Sequence, residues 1–126
     1  MPTGPPTILL VDDEYAALEV LELLLRGEGF EVVTASDGQQ ALDVVGQRHV
    51  DLVITDYKMP GMDGLELCER LQADPRFSSI PIFMTSATYV LEKSPPAGVV
   101  RFVQKPIKWV ALLAQIRSTL TNRSTV

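Results

Sequence analysis

The chain has 126 residues, of which 46% are hydrophobic, a size and composition that fit one globular domain and exclude a disordered chain. Its formal net charge of -5 argues against direct nucleic-acid binding, which needs a basic surface. No apolar run approaches the ~20 residues of a membrane helix, and residues 1–7 lack a signal-peptide pattern. Cys68 is the single cysteine, so no internal disulfide can form. These features together lead us to expect a cytoplasmic location without membrane association.

Apolar runs and helical patterns then alternate along the chain. The apolar runs are short and rich in β-favouring residues, whereas the helical patterns repeat their apolar residues at helical spacing. In chain order the predicted elements are strand 7–13, helix 14–29, strand 30–35, helix 36–49, strand 51–56, helix 64–73, strand 80–87, strand 99–104 and helix 107–120. The helix at 36–49 opens on Ser36 with Gln39 three residues later, a capping-box pattern.

The predicted strands are continuous apolar runs, which is typical of a parallel sheet buried on both faces. In such sheets ligands bind beyond the carboxyl ends of the strands, at a topological switch point. Polar side chains end four of the predicted strands: Asp12, Asp13, Asp56, Ser86 and Lys105. The pattern therefore predicts a shared site along one edge of the sheet.

The chemistry of this predicted site follows from its residue types. Crowded carboxylates repel each other unless a cation lies between them, and Mg²⁺ is the usual cation where phosphate is handled. Such a metal and Lys105 would neutralise the charge of an arriving phosphoryl group. Asp56, alone at the end of its strand, is the best-placed nucleophile for an aspartyl phosphate.

Each of these residues also has an ordinary structural interpretation. Asp12 and Asp13 would suit the cap of the helix that follows them. Ser86 alone would be a loop hydroxyl, and Lys105 alone a solvated surface lysine. Together with Asp56 at the same edge, a functional site is the favoured interpretation.

Other conspicuous residues are expected to be structural. His49 is interpreted as a surface residue, and Cys68 as a small buried hydrophobe on the third helix. Gly61 and Gly64 are interpreted as turn and helix-start positions. Trp109 is assigned either to the core or to an exposed patch.

From about Ile8 to Leu120 the sequence resembles a response-regulator receiver domain of two-component signalling. The resemblance is carried in order by Asp12-Asp13, Asp56 followed by MPGMDG, Ser86-Ala87, Phe102 and Lys105-Pro106. It implies a flavodoxin-like, doubly wound α/β fold with a five-stranded parallel sheet in the order 2-1-3-4-5. Residues 1–126 would form a single receiver domain, with its core at about 8–120 and a short tail at each end.

The resemblance also implies a role for each matching position. Asp56 corresponds to the phosphoacceptor, and Lys105 to the lysine that pairs with the phosphoryl group. The implied Mg²⁺ ligands are Asp12, Asp13, Asp56 and the backbone carbonyl of Lys58. Ser86 and Phe102 correspond to the switch hydroxyl and the switch aromatic, and a cis peptide often precedes the proline that is here Pro106.

The implied function is a phosphorylation-dependent signalling switch. A sensor histidine kinase or a phosphotransfer protein would donate the phosphoryl group to Asp56 with Mg²⁺, and the new conformation would control a downstream protein that the sequence does not name. The domain would be a monomer or a weak dimer. It would catalyse only its own phosphorylation and dephosphorylation.

One departure from the family pattern supports an alternative. Pro95 and Pro96 forbid a helix beyond Ser94, so the fourth helix of the family fold is expected to be shortened or missing. A phosphorylation-independent interaction module is therefore the alternative function. A third possibility, a phosphatase with an aspartyl intermediate, is disfavoured because Lys58 stands where a second acid is expected.

Overall fold

A computed structural model describes residues 4–87, 96 and 98–124, except for the side chains of residues 123 and 124. Its strands are β1 (Thr7–Val11), β2 (Glu31–Ala35), β3 (Leu52–Asp56), β4 (Ile82–Ser86) and β5 (Val99–Gln104). Its helices are α1 (Tyr15–Gly27), α2 (Gly38–Gln47), α3 (Gly64–Ala73) and α4 (Trp109–Ser124). All strand pairs are parallel, and the order β2-β1-β3-β4-β5 confirms the predicted doubly wound α/β fold.

The central strands are buried because helices cover both faces of the sheet. Alternate residues of one strand point to opposite faces, so Leu9 and Ile8 in β1 enter different halves of the core. Leu9 packs in the half formed with α2 and α3, and Ile8 in the half formed with α1 and α4. Full burial of one such side chain stabilises the fold by about 1.5–3 kcal/mol. The same burial on both sides explains why these strands read as continuous apolar runs.

The start of α2 differs by one residue from the predicted capping box. The N-cap is Asp37 rather than Ser36, and the Asp37 side chain accepts a hydrogen bond of 2.8 Å from the Gln40 backbone N–H. The Gln40 side chain in turn accepts from the Ser36 N–H at 2.9 Å. Aspartate is at least as good an N-cap as serine, so the cap forms one position later than predicted, and the Gln40 side chain reaches the residue before the N-cap rather than the N-cap itself.

The last helix was also predicted with the wrong bounds. It begins at Trp109 and ends at Ser124, whereas the apolar pattern placed it at 107–120. No glycine or proline stands between Leu120 and Ser124, so neither of these residues stops the helix where the apolar pattern ends. Trp109 is half-buried and packs against the core half of α1 and α4, which answers the question left open for this residue.

The predicted loss of the fourth family helix lies outside the described residues, because it concerns residues 88–95 and 97.

Two other expectations are confirmed within the described part. Cys68 is buried in α3 with 1% of its surface exposed, and His49 is exposed with its ring 2.8 Å from Asp51 Oδ1. Over the residues that the structure describes, no helix is long and apolar enough to cross a membrane.

Candidate functional site

Three carboxylates meet at the carboxyl ends of the two central strands. Asp12 follows β1 directly and Asp56 ends β3, and the pairing of Val11 with Thr55 brings these ends side by side. One carboxylate oxygen from each of Asp12, Asp13 and Asp56 lies within 4.8 Å of the others. Asp12 is buried, Asp56 half-buried and Asp13 exposed, so the cluster opens to solvent on one side.

The donor set of this cluster fits a hard divalent cation. Mg²⁺ prefers oxygen ligands at about 2.0–2.1 Å, which places neighbouring and opposite ligands of one ion roughly 3–4 Å apart. Oxygens grouped within 4.8 Å reach that spacing through small side-chain adjustments. The open side next to Asp13 leaves room for the waters that Mg²⁺ retains.

The positive charge next to these carboxylates is the ammonium group of Lys105. It follows β5, and its Nζ lies 3.2 Å from Asp12 Oδ2 and 3.5 Å from Asp56 Oδ2. Burial alone would lower the pKa of the Lys105 ammonium, but the charges of Asp12 and Asp56 outweigh burial and raise that pKa. Lys105 therefore stays charged at neutral pH and is shared between two carboxylates. The peptide bond from Lys105 to Pro106 is cis, as the resemblance implies.

The Asp56 carboxylate is held by its own backbone neighbourhood. Its Oδ1 accepts a hydrogen bond of 2.9 Å from the Tyr57 N–H, which also donates to the Thr85 carbonyl at 2.8 Å. Burial and the charge of Asp12 raise the pKa of Asp56, whereas Lys105 and the Tyr57 N–H oppose that rise. A bound divalent cation would oppose it further and favour the ionised carboxylate.

Asp12 and Asp13 are not the N-cap of α1. The N-cap residue is Glu14, whose side chain makes no capping hydrogen bond. Asp12 Oδ1 accepts from the Glu14 N–H at 3.0 Å, and Asp12 Oδ2 faces Lys105. Asp12 therefore caps no N–H of the first helical turn: one of its oxygens bonds the N-cap residue itself, and the other belongs to the charged cluster.

Ser86 and Phe102 lie on the same face of the sheet. Ser86 ends β4 and is 5% exposed, and the Lys105 N–H donates to its carbonyl at 2.8 Å. Phe102 is half-buried and pairs with Met84, two residues before Ser86. Residues two apart on a strand share a face, so the Phe102 and Ser86 side chains are diagonal neighbours on the same face of two adjacent strands. The structure thus places Ser86 at the end of β4, the strand beside β3, and Phe102 one strand further away, on β5.

The loop between β3 and α3 is held by Met59 and Gly64 in ways that the sequence did not indicate. Lys58 is exposed, whereas the next residue, Met59, is buried with 8% of its surface exposed. Gly64 was interpreted as a helix start, but a Cβ there would overlap the Asp56 carbonyl oxygen and lie 3.0 Å from the Tyr57 Cα. Its N–H donates to the Tyr57 carbonyl at 2.8 Å. Only the folded contact reveals that α3 starts directly against the strand end.

A sequence model of the response regulator receiver domain matches residues 8–117. The chain therefore belongs to the response regulator receiver domain family, whose members act in two-component signalling with histidine kinases or phosphotransfer proteins. Receiver domains generally bind Mg²⁺ at an acidic cluster, and Asp12, Asp13 and Asp56 form such a cluster here.

The chain is similar to parts of two longer proteins. It is 39% identical over 123 residues to the DNA-binding response regulator MtrA of Mycolicibacterium smegmatis, which covers 95% of this chain and 53% of MtrA. It is 38% identical over 118 residues to the response regulator PleD of Caulobacter vibrioides, which covers 88% of this chain and 25% of PleD. The chain thus spans about half the length of the MtrA relatives that it matches.

Solved structures agree with this family. The signal receiver domain of an HD domain-containing protein from Pseudomonas fluorescens Pf-5 matches with a TM-score of 0.88 and 30% identity, over 97% of this chain and 99% of that one. The chemotaxis protein CheY4 of Vibrio cholerae matches with a TM-score of 0.86 and 27% identity, over 92% and 99%. These similarities support the whole sheet and its helices rather than a local motif.

Proposed function

We propose that this receiver domain is a phosphorylation-dependent signalling switch with Asp56 as its phosphoacceptor. The observation that carries the proposal is the placement of Asp56 at the end of β3, within the acidic cluster and 3.5 Å from the Lys105 ammonium. A histidine kinase or a phosphotransfer protein would donate the phosphoryl group. A cytoplasmic location and control of a downstream protein belong to the same proposal.

The proposed transfer forms one bond and breaks one bond. An Asp56 carboxylate oxygen attacks phosphorus, the bond from phosphorus to the donor nitrogen breaks, and the electron pair leaves with the donor imidazole. The Tyr57 N–H holds Oδ1 at 2.9 Å, while Lys105 stands beside Oδ2. Lys105 is therefore placed to neutralise charge that arrives with the phosphoryl group. Attack of water on the same phosphorus would later release inorganic phosphate.

The proposed metal ligands are Asp12, Asp13, Asp56 and the Lys58 backbone carbonyl. When bound there, Mg²⁺ would supply electrostatic stabilisation of the phosphoryl oxygens. Residues of the chain would do the remaining work, since Lys105 balances charge and the Asp12 carboxylate, held by the Glu14 N–H at 3.0 Å, keeps one ligand in place.

Ser86 and Phe102 are the residues that would convert phosphorylation into a change of conformation. The Ser86 hydroxyl would donate a hydrogen bond to a phosphoryl oxygen, and Phe102, its diagonal neighbour, would fill the space that Ser86 leaves. Hydrogen bonds to charged groups contribute about 1.5–3 kcal/mol each. Bonds from Ser86 and Lys105 together approach the ~5.5 kcal/mol that inverts a two-state equilibrium.

Intact mass spectrometry after incubation with acetyl phosphate and Mg²⁺ tests the proposal. The parent protein should gain one phosphoryl group, and the matched variant Asp56→Asn should gain none. Omission of Mg²⁺ should also prevent the gain. An unmodified parent, in a sample shown separately to bind Mg²⁺, would favour the phosphorylation-independent interaction module instead.

A further inference from the structure

The loop that follows Asp56 must be held in place if its Lys58 carbonyl is to serve as a metal ligand. The start of the loop is fixed by a hydrogen bond from the Tyr57 N–H to the Thr85 carbonyl, and its end is joined to its start by one from the Gly64 N–H to the Tyr57 carbonyl, both 2.8 Å long. Its middle is anchored by the buried side chain of Met59. A further contact is made by Met62, on the side of the loop that faces α2.

Met62 packs directly on the first residue of α2. A Cβ added to Gly38 would lie 2.6 Å from the Met62 Sδ, 2.9 Å from its Cγ and 3.0 Å from its Cβ. The two shortest distances are ones that a Cβ does not accept, so the Met62 side chain would have to shift. The observed placement of Met62 therefore depends on a glycine at position 38.

The backbone at Gly38 does not itself require glycine. Its φ lies outside the left-handed range, where glycines 29, 61 and 98 are found. The helix cap also does not require it, because Asp37 provides the capping oxygen. Glycine at this position costs helix stability relative to alanine, by about 0.5–1 kcal/mol in a helix interior and less at a terminus. The space for Met62 is therefore the feature that the residue at 38 provides.

We propose that Gly38 and Met62 are positioning residues of the metal site, which act by holding the loop that carries the Lys58 carbonyl. This inference rests on the proposed function, since it concerns the same Mg²⁺ site. Neither residue belongs to the acidic cluster. Mg²⁺ demands a near-ideal arrangement of ligands, and the loss of a supporting contact behind a ligand typically costs 10–100-fold in metal affinity.

The test is Mg²⁺ binding to the unphosphorylated protein, measured by isothermal titration calorimetry. Gly38→Ala should weaken Mg²⁺ binding by about 10-fold, with the free energy of unfolding measured in parallel to show that the variant is folded. Gly46→Ala is the matched control on the same helix, because a Cβ there meets no atom within 4 Å. It should leave the Mg²⁺ affinity unchanged.

A double-mutant cycle separates the contact from a general effect on α2. Met62→Ala should itself weaken binding, and Gly38→Ala should add little to that loss once the Met62 side chain is gone. Equal losses from Gly38→Ala with and without Met62 would overturn the inference, as would an unchanged affinity in both single variants. Absence of Mg²⁺ binding in the parent would instead overturn the proposed function together with it.

Discussion

Gly64→Ala should destabilise the fold, although alanine is the better helix former. The new Cβ would overlap the Asp56 carbonyl oxygen and come within 3.0 Å of the Tyr57 Cα. These are backbone atoms at the end of β3, so α3 has to move away from the strand. Overpacking of this kind costs about 1–3 kcal/mol, and the reduced freedom of the unfolded chain returns about 0.4–1 kcal/mol. A net loss of roughly 1–2 kcal/mol is expected.

Urea denaturation at pH 7 measures this loss. For a domain of this size each kcal/mol corresponds to roughly 3–6 °C in melting temperature, so thermal unfolding gives a second reading. Gly46→Ala is the matched control, because that glycine is exposed in α2 and an added Cβ would meet no atom within 4 Å. Since Gly46 lies in the last turn of α2, the substitution should stabilise the protein by less than about 1 kcal/mol. If Gly64→Ala proved as stable as the parent, the close approach of α3 to β3 would not constrain this position.

Three further outcomes are expected. Asp37→Ala should lower the free energy of unfolding by about 1 kcal/mol in urea titrations, and an equal loss from Ser36→Ala would contradict the observed N-cap. Burial raises the pKa of Cys68 from 9.0 to about 12, so the thiol of the folded protein should resist iodoacetamide at pH 8 and react once urea unfolds the chain. Because the folded state keeps this proton to higher pH than the unfolded state, the free energy of unfolding should fall as pH rises from 9 towards 12. Mg²⁺ at ten times its Kd should raise the free energy of unfolding of the parent protein by about 1.4 kcal/mol, and that of the Asp13→Asn variant by much less. Identical gains in the parent and the variant would exclude Asp13 as a ligand.

Much of the fold could be predicted because its determinants are local. A strand buried on both faces must be apolar at successive positions, so the central strands are visible as continuous runs. Helices that cover one face repeat their apolar residues, as Leu18 and Leu25 do in α1. The alternation of the two patterns leads to a parallel sheet, and the resemblance supplied the strand order.

The candidate site could be predicted for a related reason. The carboxyl ends of parallel strands share one edge, so a polar residue that ends an apolar run is placed there whatever the loops do. Asp56 and Asp12 needed no further information to be brought together. The position of Lys105 between them did, since a long flexible side chain can reach several partners and only the folded site selects two.

The errors came from choices between near-equivalent signals. Ser36 and Asp37 are both good N-caps, and each has a glutamine three residues later, so the sequence alone offers two registers. The end of α4 lacked a glycine or proline, which removes the usual stop signal. Packing against the rest of the chain decides such cases, and packing is not a local property.

The glycines of this chain show where backbone and side-chain packing is closest. At Gly27 and Gly46 an added Cβ would meet open space. Gly61 has a positive φ of 74°, a backbone conformation that other residues adopt only at a cost in free energy. Gly38 and Gly64 have neither explanation, since each lies at a helix start with an ordinary φ and a neighbour too close for a Cβ. Both neighbours belong to the segment that runs from Asp56 to Met62. Because the first residues of α2 and α3 both press on this segment, its backbone has little freedom to move. A metal ligand on such a backbone would be held in a fixed position, as Mg²⁺ with its strict geometry requires. Gly38 and Gly64, which cost stability in their own helices, are therefore expected to hold in place the loop that follows Asp56.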